Sequence, residues 1–342
     1  MRTLAVRLDS MGDVLLAGPA IRALAASSDH VTVLAGPLGR TAAELLPGVD
    51  DVLCWEAPWV VADPGPVDPD AVDDLRAMVA AGRYDRAVVF TSFHQSPLPT
   101  ALVLRLAGVP WIGAISVDYP GSLLDVRHRV EDDMPEPERA LSLARACGAE
   151  LPEGDDGRLA VREIHPPEHL PRPYVVLHPG TSAPARAWPA EHYRSTCTRL
   201  VELGFHVVVT GGPAERDLTA YVADGEARDL GGLLDLEELA GVLAGAEAVV
   251  VGNTGPAHLA AAVGTRVVSL FAPTVPAIRW APYGVRSALL GDQDAPCRGT
   301  RALECPVPGH PCLATVEPRD VVAAVVDLCG LPERPLTERF VS

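Results

Sequence analysis

The sequence predicts an α/β protein built from two doubly wound parallel sheets, and three observations carry that prediction. Short apolar runs alternate with helical segments from one end of the chain to the other, which is the pattern of β-α-β units around a parallel sheet. A proline- and glycine-rich stretch, residues 148–173, interrupts the alternation near the middle and leaves two series of similar size. In the second series, Val249 to Thr274 (VVVGNTGPAHLAAAVGTRVVSLFAPT) reads as strand, tight turn, helix and strand in one run.

In the first series, Thr3 to Leu8 is the opening strand. Gly12 permits a sharp reversal, Asp13 stands where a helix N-cap belongs, and the helix runs from Val14 to Ala26 with a kink expected at Pro19. As a bare cap Asp13 would contribute about 1 kcal/mol. As a carboxylate at the carboxyl end of a strand, it would sit where open α/β sheets place their ligands. Strands follow at Val31–Ala35, Val49–Trp55, Arg86–Thr91 and Trp111–Ile115, with helices at Leu38–Leu46, Ala71–Ala81, Leu98–Leu106 and Glu136–Cys147. Residues 56–70 are a Pro- and Asp-rich loop. Ser92 to Pro97, which contains Phe93 and His94, follows a strand end and is a candidate wall for a substrate.

The second series begins at Tyr174. It has a strand at Val175–His178, a loop at Pro179–Trp188, a helix at Pro189–Leu203, a strand at His206–Thr210, a Gly211-Gly212 turn and a helix near Glu215–Ala223. The helix Leu236–Ala244 leads into the strand Val249–Val251. Gly252 to Pro256 breaks that strand, and Pro256 suits the first turn of a helix because its missing N–H would be unpaired there. The helix Ala257–Val263, ended by Gly264, precedes the strand Val267–Leu270, and the last helix is Val321–Leu328. The first N–H groups of the helix after Asn253 carry roughly half a positive charge and form a natural seat for phosphate. His258 lies one turn along it.

Composition narrows the function. The 342 residues suffice for two α/β domains, and 48% hydrophobic content can fill their cores. A net charge of −17, from 45 acidic and 28 basic residues, argues against nucleic-acid binding and against a polybasic membrane anchor. Every basic residue is arginine. Seven cysteines without framework spacing, no recognisable signal peptide and no apolar run of about eighteen residues predict a cytoplasmic protein with at most peripheral membrane contact.

Three ordered blocks now carry a resemblance: RLDSMGDVLLAGPAIRAL, HPGTSAPARAWPAEHY, and VVGNTGPAHLAAAVGTRVVSLFAPT followed by WAPYG. Together they resemble glycosyltransferase family 9, whose familiar members are lipopolysaccharide heptosyltransferases, from Leu4 to about Val326. The resemblance implies a GT-B fold: an acceptor-side Rossmann-like domain (1–160), a donor-binding one (173–330), and a tail (331–342) packing back on the first. It also implies an inverting transfer of heptose or a related sugar from a nucleotide-diphosphate sugar, with an ADP-sugar the family's donor. The receiving hydroxyl would belong to a glycan, glycolipid or small metabolite, and no other cofactor would be needed.

By the same resemblance, Asp13 matches the general base of the Gly-Asp pair, with Gly12 and His94 on the acceptor side. Arg186 matches a basic residue, commonly lysine, at the donor phosphate. Thr181 and Ser182 match small polar residues near the donor. Thr254, Gly255 and His258 match the Asp-Thr-Gly-x-x-His segment around diphosphate and sugar, where Asn253 replaces the aspartate. Metal is not expected, because a helix N-terminus and basic side chains can take the charge of the leaving diphosphate. Asp68-Pro69-Asp70 and Asp292-Gln293-Asp294 read as solvated loops, and Cys297, Cys305 and Cys312 lack the paired spacing of zinc sites. No strand is followed by the Gly-x-Gly-x-x-Gly fingerprint of dinucleotide enzymes. A GT-B sugar-nucleotide epimerase and a catalytically idle sugar-nucleotide-binding protein are the alternatives.

Overall fold

The computed structural model describes residues 1–130 and 133–330; the tail expected over 331–342 lies outside them. The chain divides into two compact units, Met1–Glu163 and a second beginning at Ile164. In the first, the elements in order are β1 (Arg2–Arg7), α1 (Met11–Leu16), α2 (Gly18–Ala26), β2 (His30–Ala35), α3 (Arg40–Leu45), β3 (Asp51–Cys54) and α4 (Pro69–Gly82). Then come β4 (Arg86–Val89), α5 (Leu98–Leu106), β5 (Ile112–Ile115), β6 (Val126–His128) and α6 (Glu136–Ala146). The six strands are all parallel, in the order β3-β2-β1-β4-β5-β6.

The second unit contains β7 (Tyr174–His178), α7 (Ala190–Glu202), β8 (His206–Val209), α8 (Arg216–Ala223), β9 (Arg228–Asp229) and α9 (Leu236–Ala244). It continues with β10 (Ala248–Gly252), α10 (Gly255–Ala262), β11 (Arg266–Leu270), α11 (Ala277–Trp280), β12 (Ser287–Leu290), α12 (Pro311–Ala314) and α13 (Pro318–Cys329). Its strand order is β9-β8-β7-β10-β11-β12, again all parallel. Counted within each unit, both sheets run 3-2-1-4-5-6, the dinucleotide-binding order. The order reverses between β1 and β4 in one unit and between β7 and β10 in the other. Loops leaving the carboxyl ends of those four strands are where such a sheet holds ligands.

The central strands are apolar because helices cover both of their faces. Leu4 and Val6 of β1 are fully buried and share a cluster with Leu34, Val89 and Leu104. In the second unit Val175, Leu177, Val250 and Val268 pack with Trp188, Tyr193 and Leu313. Trp188 meets Tyr193 edge to face at 4.8 Å, and its indole N–H donates to the Val316 carbonyl at 3.1 Å. The Trp-Pro block is thus seated in this core.

The structure corrects the sequence expectations at several points. The helix expected at Val14 begins at Met11, so Ser10 is its N-cap and Asp13 lies inside the first turn. Gly12 is buried within that turn. Pro19 breaks the helix instead of kinking it: α1 ends at Leu16, and α2 restarts at Gly18 with Pro19 in its first turn, where no N–H is needed. The linker expected from Gly148 is in part anchored, since Arg22 grips the Asp155 carboxylate through Nε (2.6 Å) and Nη2 (2.8 Å) and Arg162 N–H donates to Leu45 O at 2.7 Å. The sheet edges β6, β9 and β12 had no expected counterpart, being two to four residues long and without a buried face that reads as alternation. Among the described residues, no helix is long and apolar enough to cross a membrane.

Candidate active site

At the first switch point, β1 ends on Arg7, whose charged side chain is only 4% exposed. Its Nη2 donates to Asp13 Oδ1 and to Ser92 Oγ, each at 2.9 Å. Its Nε lies 2.9 Å from Asp9 Oδ2, an ion pair without hydrogen-bond alignment. Burial disfavours the guanidinium charge, but Asp9, Asp13 and Glu136 outweigh it and the pKa of Arg7 is raised. The loop after β4 answers from the other side. Ser92 N–H donates to Gln95 Oε1 (3.0 Å), and Gln95 Nε2 donates to Asp9 Oδ1 (2.5 Å). On α6, Arg139 donates to Thr91 O (2.6 Å) and sits 3.3 Å from Glu136 Oε2.

Within this network the two aspartates differ. Asp9, 10% exposed, is held between Arg7 and Gln95. Asp13 is 19% exposed and accepts from Arg7 on Oδ1 and from the exposed Ser10 hydroxyl on Oδ2 (2.8 Å). It is an oriented, ion-paired carboxylate inside the first turn of α1, not its cap. His94 shares the loop after β4 but is exposed, with its ring edge-on to Phe93 at 5.4 Å. Arg7 was not expected from the sequence, and Ser92 and Gln95, in the loop expected to wall the substrate, instead bind Arg7 and Asp9. The one available signal was an arginine ending an otherwise apolar strand.

At the second switch point, Thr254 is the N-cap residue of α10, with extended backbone, and Pro256 lies in the first turn. Its hydroxyl lies 3.5 Å from Gly252 O, and Gly255 opens the helix. His258 is buried, 6% exposed. Arg186 reaches in from the loop after β7 and donates from Nη1 to Asn253 O at 3.3 Å. Thr181 folds onto its own loop, accepting from Ala183 N–H at 3.2 Å, and Ser182 is exposed. The structure therefore brings Arg186, Asn253, Thr254, Gly255 and His258 to one strand-end locus, with Thr181 and Ser182 on the adjoining loop.

Asn253 has a second geometry. Its Nδ2 donates to Ala272 O and its Oδ1 accepts from Ala272 N–H, each at 3.3 Å, in a 6% exposed position. The amide clamps the ends of β10 and β11, which a carboxylate cannot do because it has no hydrogen to donate. Asn253→Asp is expected to set two acceptors against each other and to cost about 1–3 kcal/mol. Thermal unfolding of the variant beside wild type checks this.

His178 ends β7 and is buried, with Nδ1 2.9 Å from Thr210 Oγ1. Burial pushes its pKa down to about 4, against partial opposition from the Glu215 charge. It is therefore neutral near pH 7. Because the folded value lies below the unfolded one of about 6.5, the unfolded chain binds the proton first on acidification. The contribution is intact above about pH 6.5 and is lost as pH falls toward 4, by at most ~1.4 kcal/mol per pH unit. His178→Gln should flatten that acid slope in a melting-temperature series. Glu215 closes the neighbouring turn, accepting from Gly212 N–H at 2.7 Å. Gly180 lies against it: a Cβ there would meet the Glu215 carboxylate at 2.0 Å and push that side chain aside.

The remaining polar clusters have structural roles. Asp68 caps α4 by accepting from Asp70 N–H (3.0 Å), and Asp292 accepts from Asp294 N–H (2.9 Å). Cys297 and Cys312 are buried in the second core, the Cys305 thiol donates to Val307 O (3.3 Å), and His310 Nε2 faces Ala185 O (3.1 Å).

Two Rossmann-type units, one carrying the Arg7–Asp13 network and the other a helix N-terminus and an arginine at its switch point, have the architecture of the GT-B class of glycosyltransferases. The model of glycosyltransferase family 9 (heptosyltransferase) matches residues 74–309, and the chain belongs to that family. It is a glycosyltransferase, and family membership does not favour the epimerase alternative. Lipopolysaccharide heptosyltransferase 1 of Salmonella typhimurium is 28% identical over 295 residues, 81% of this chain and 90% of that protein. A family 9 glycosyltransferase from Veillonella parvula superposes with a TM-score of 0.79 at 17% identity, covering 96% of this chain and 97% of the other. An Escherichia coli heptosyltransferase with ADP-2-deoxy-2-fluoro heptose gives 0.72 at 22% identity, covering 96% and 99%. These two share the fold.

Proposed function

We propose that the protein transfers heptose or a closely related sugar from its ADP derivative to a saccharide hydroxyl of a glycan or glycolipid, inverting the anomeric centre. The carrying observation is the pairing of Arg186 with the Asn253 carbonyl at the N-terminus of α10. It gathers a fixed cation and the positive end of a helix where a diphosphate would gain negative charge on departure. The nucleobase and sugar are inferred from the relatives: an ADP-sugar analogue is bound by one fold neighbour, and lipopolysaccharide is the acceptor named for the similar Salmonella enzyme.

In the proposed reaction, Asp13 accepts the proton of the attacking hydroxyl as the new bond to the anomeric carbon forms. The bond from that carbon to the diphosphate oxygen breaks with its electron pair, and ADP leaves. Arg186 and the first N–H groups of α10 stabilise the departing oxygens, so no divalent metal is needed. Thr254 and His258 border the diphosphate and sugar. Asn253 serves as the clamp that sets the position of Thr254 and Gly255.

A thermal-shift series with ADP, GDP, UDP and dTDP tests the donor. ADP at a hundred times its dissociation constant should stabilise the protein by about 2.7 kcal/mol, with the other nucleotides well behind at equal concentration. Preference for UDP or dTDP would reject the adenine assignment and leave the transferase class intact.

A further inference from the structure

We propose that Arg7 is the positioning residue of the transfer reaction: its buried guanidinium fixes the direction of the Asp13 carboxylate and holds it in the ionised form that accepts a proton. The proposal rests on the assignment of Asp13 as base.

The geometry is unusual for a plain structural arginine. Arg7 is the last residue of the central strand β1, on the rim from which ligand-binding loops depart. One nitrogen, Nη2, is shared between Asp13 Oδ1 and Ser92 Oγ at 2.9 Å each, while Nε faces Asp9 at 2.9 Å. Arg7 thereby joins the loop after β1 to the loop after β4 across the switch point. Ser92 is buried, and its loop is tied to Asp9 a second time through Gln95. A buried guanidinium hydrogen-bonded to two acceptors through Nη2 and ion-paired through Nε has little freedom to swing, so the carboxylate it holds is directed as well as charged.

The other charged groups around Asp13 make this cation decisive. Asp9 follows on the same loop, and Glu136 on α6 is 3% exposed beside Arg139, which donates to Thr91 O. On α3, Arg40 and Glu44 pair with each other at 2.9 Å; on α2, Arg22 is engaged by Asp155. Three carboxylates, Asp9, Asp13 and Glu136, act on Arg7. Without it, like-charge repulsion and partial burial would both favour protonating a carboxylate, and Asp13 is the most exposed of the three. A protonated Asp13 cannot take a proton from the acceptor.

The test is a pH titration of the Asp13 side chain by 13C NMR on full-length protein labelled at the aspartate carboxyl carbons, the signal being assigned by its loss in Asp13→Asn. In wild type the midpoint should lie below the ordinary aspartate value of about 3.9. It should rise in Arg7→Lys, whose point charge cannot span Asp9 and Asp13 together, and rise further in Arg7→Met, by about one to three pH units in all. ADP affinity should be unchanged in both. A wild-type midpoint at or above the ordinary value overturns the proposal even if neither variant folds, and so does an unchanged midpoint in a folded Arg7→Lys protein. The base assignment is judged separately, by turnover of Asp13→Asn. Full turnover there with a normal Arg7-dependent shift would reject the base and keep the electrostatics; lost turnover with no shift would do the reverse.

Discussion

Asp13→Asn should lower turnover about 10²- to 10⁴-fold, the usual contribution of a positioned general base, while leaving ADP affinity unchanged. Asparagine keeps an oxygen that can accept from Arg7 Nη2, now 2.9 Å from Oδ1, and loses only the charge and the proton affinity. The fold has little reason to fail, because Asp13 is not the helix cap and Asp9 and Glu136 still face Arg7. Asp9→Asn is the control. Asp9 is the less exposed of the two and is held by Gln95, so its loss should act through the loop and spare most of the rate. Rates with ADP-heptose, ADP binding by calorimetry and thermal unfolding should be measured on all three proteins together. A folded, ADP-binding Asp13→Asn enzyme with near-normal turnover would remove Asp13 as the base.

Arg186→Ala should weaken ADP binding by about 1.5–3 kcal/mol, the range for a hydrogen bond to a charged group, or roughly 10- to 150-fold. Adenosine carries no phosphate and should bind both proteins alike. The difference between the two ligands isolates the charge from any disturbance of the loop after β7. Equal losses for ADP and adenosine would instead make Arg186 a support for the Asn253 carbonyl, which it meets at 3.3 Å.

The two sheets were legible in the sequence because their central strands are continuous apolar runs, such as Val249 to Val251, set between glycine and proline punctuation. The edges were not. β9 is only Arg228-Asp229 and becomes a strand by pairing with Val208 and Val209. The Gly-Asp pair placed Asp13 at a strand end, but its cap role was misjudged because local propensity sees a carboxylate before a helix and cannot see Arg7 beneath it. That arginine was hidden for the same reason: its partner Ser92 lies 85 residues away along the chain. Asn253 showed only as a lost charge until Ala272 appeared against both ends of its amide. Long-range pairing of polar side chains has no periodicity to betray it.

The central claim is an inverting, metal-independent transfer from an ADP-sugar, and one measurement addresses it directly. The protein is incubated with ADP-heptose and a heptose-free, deacylated lipopolysaccharide core in excess EDTA. ADP release and the anomeric proton of the new glycoside are followed by NMR. The account predicts one ADP per sugar transferred, the anomeric configuration opposite to that of the donor, and no loss of rate from chelation. Retained configuration, or transfer that vanishes in EDTA and returns with Mg²⁺ or Mn²⁺, would contradict it.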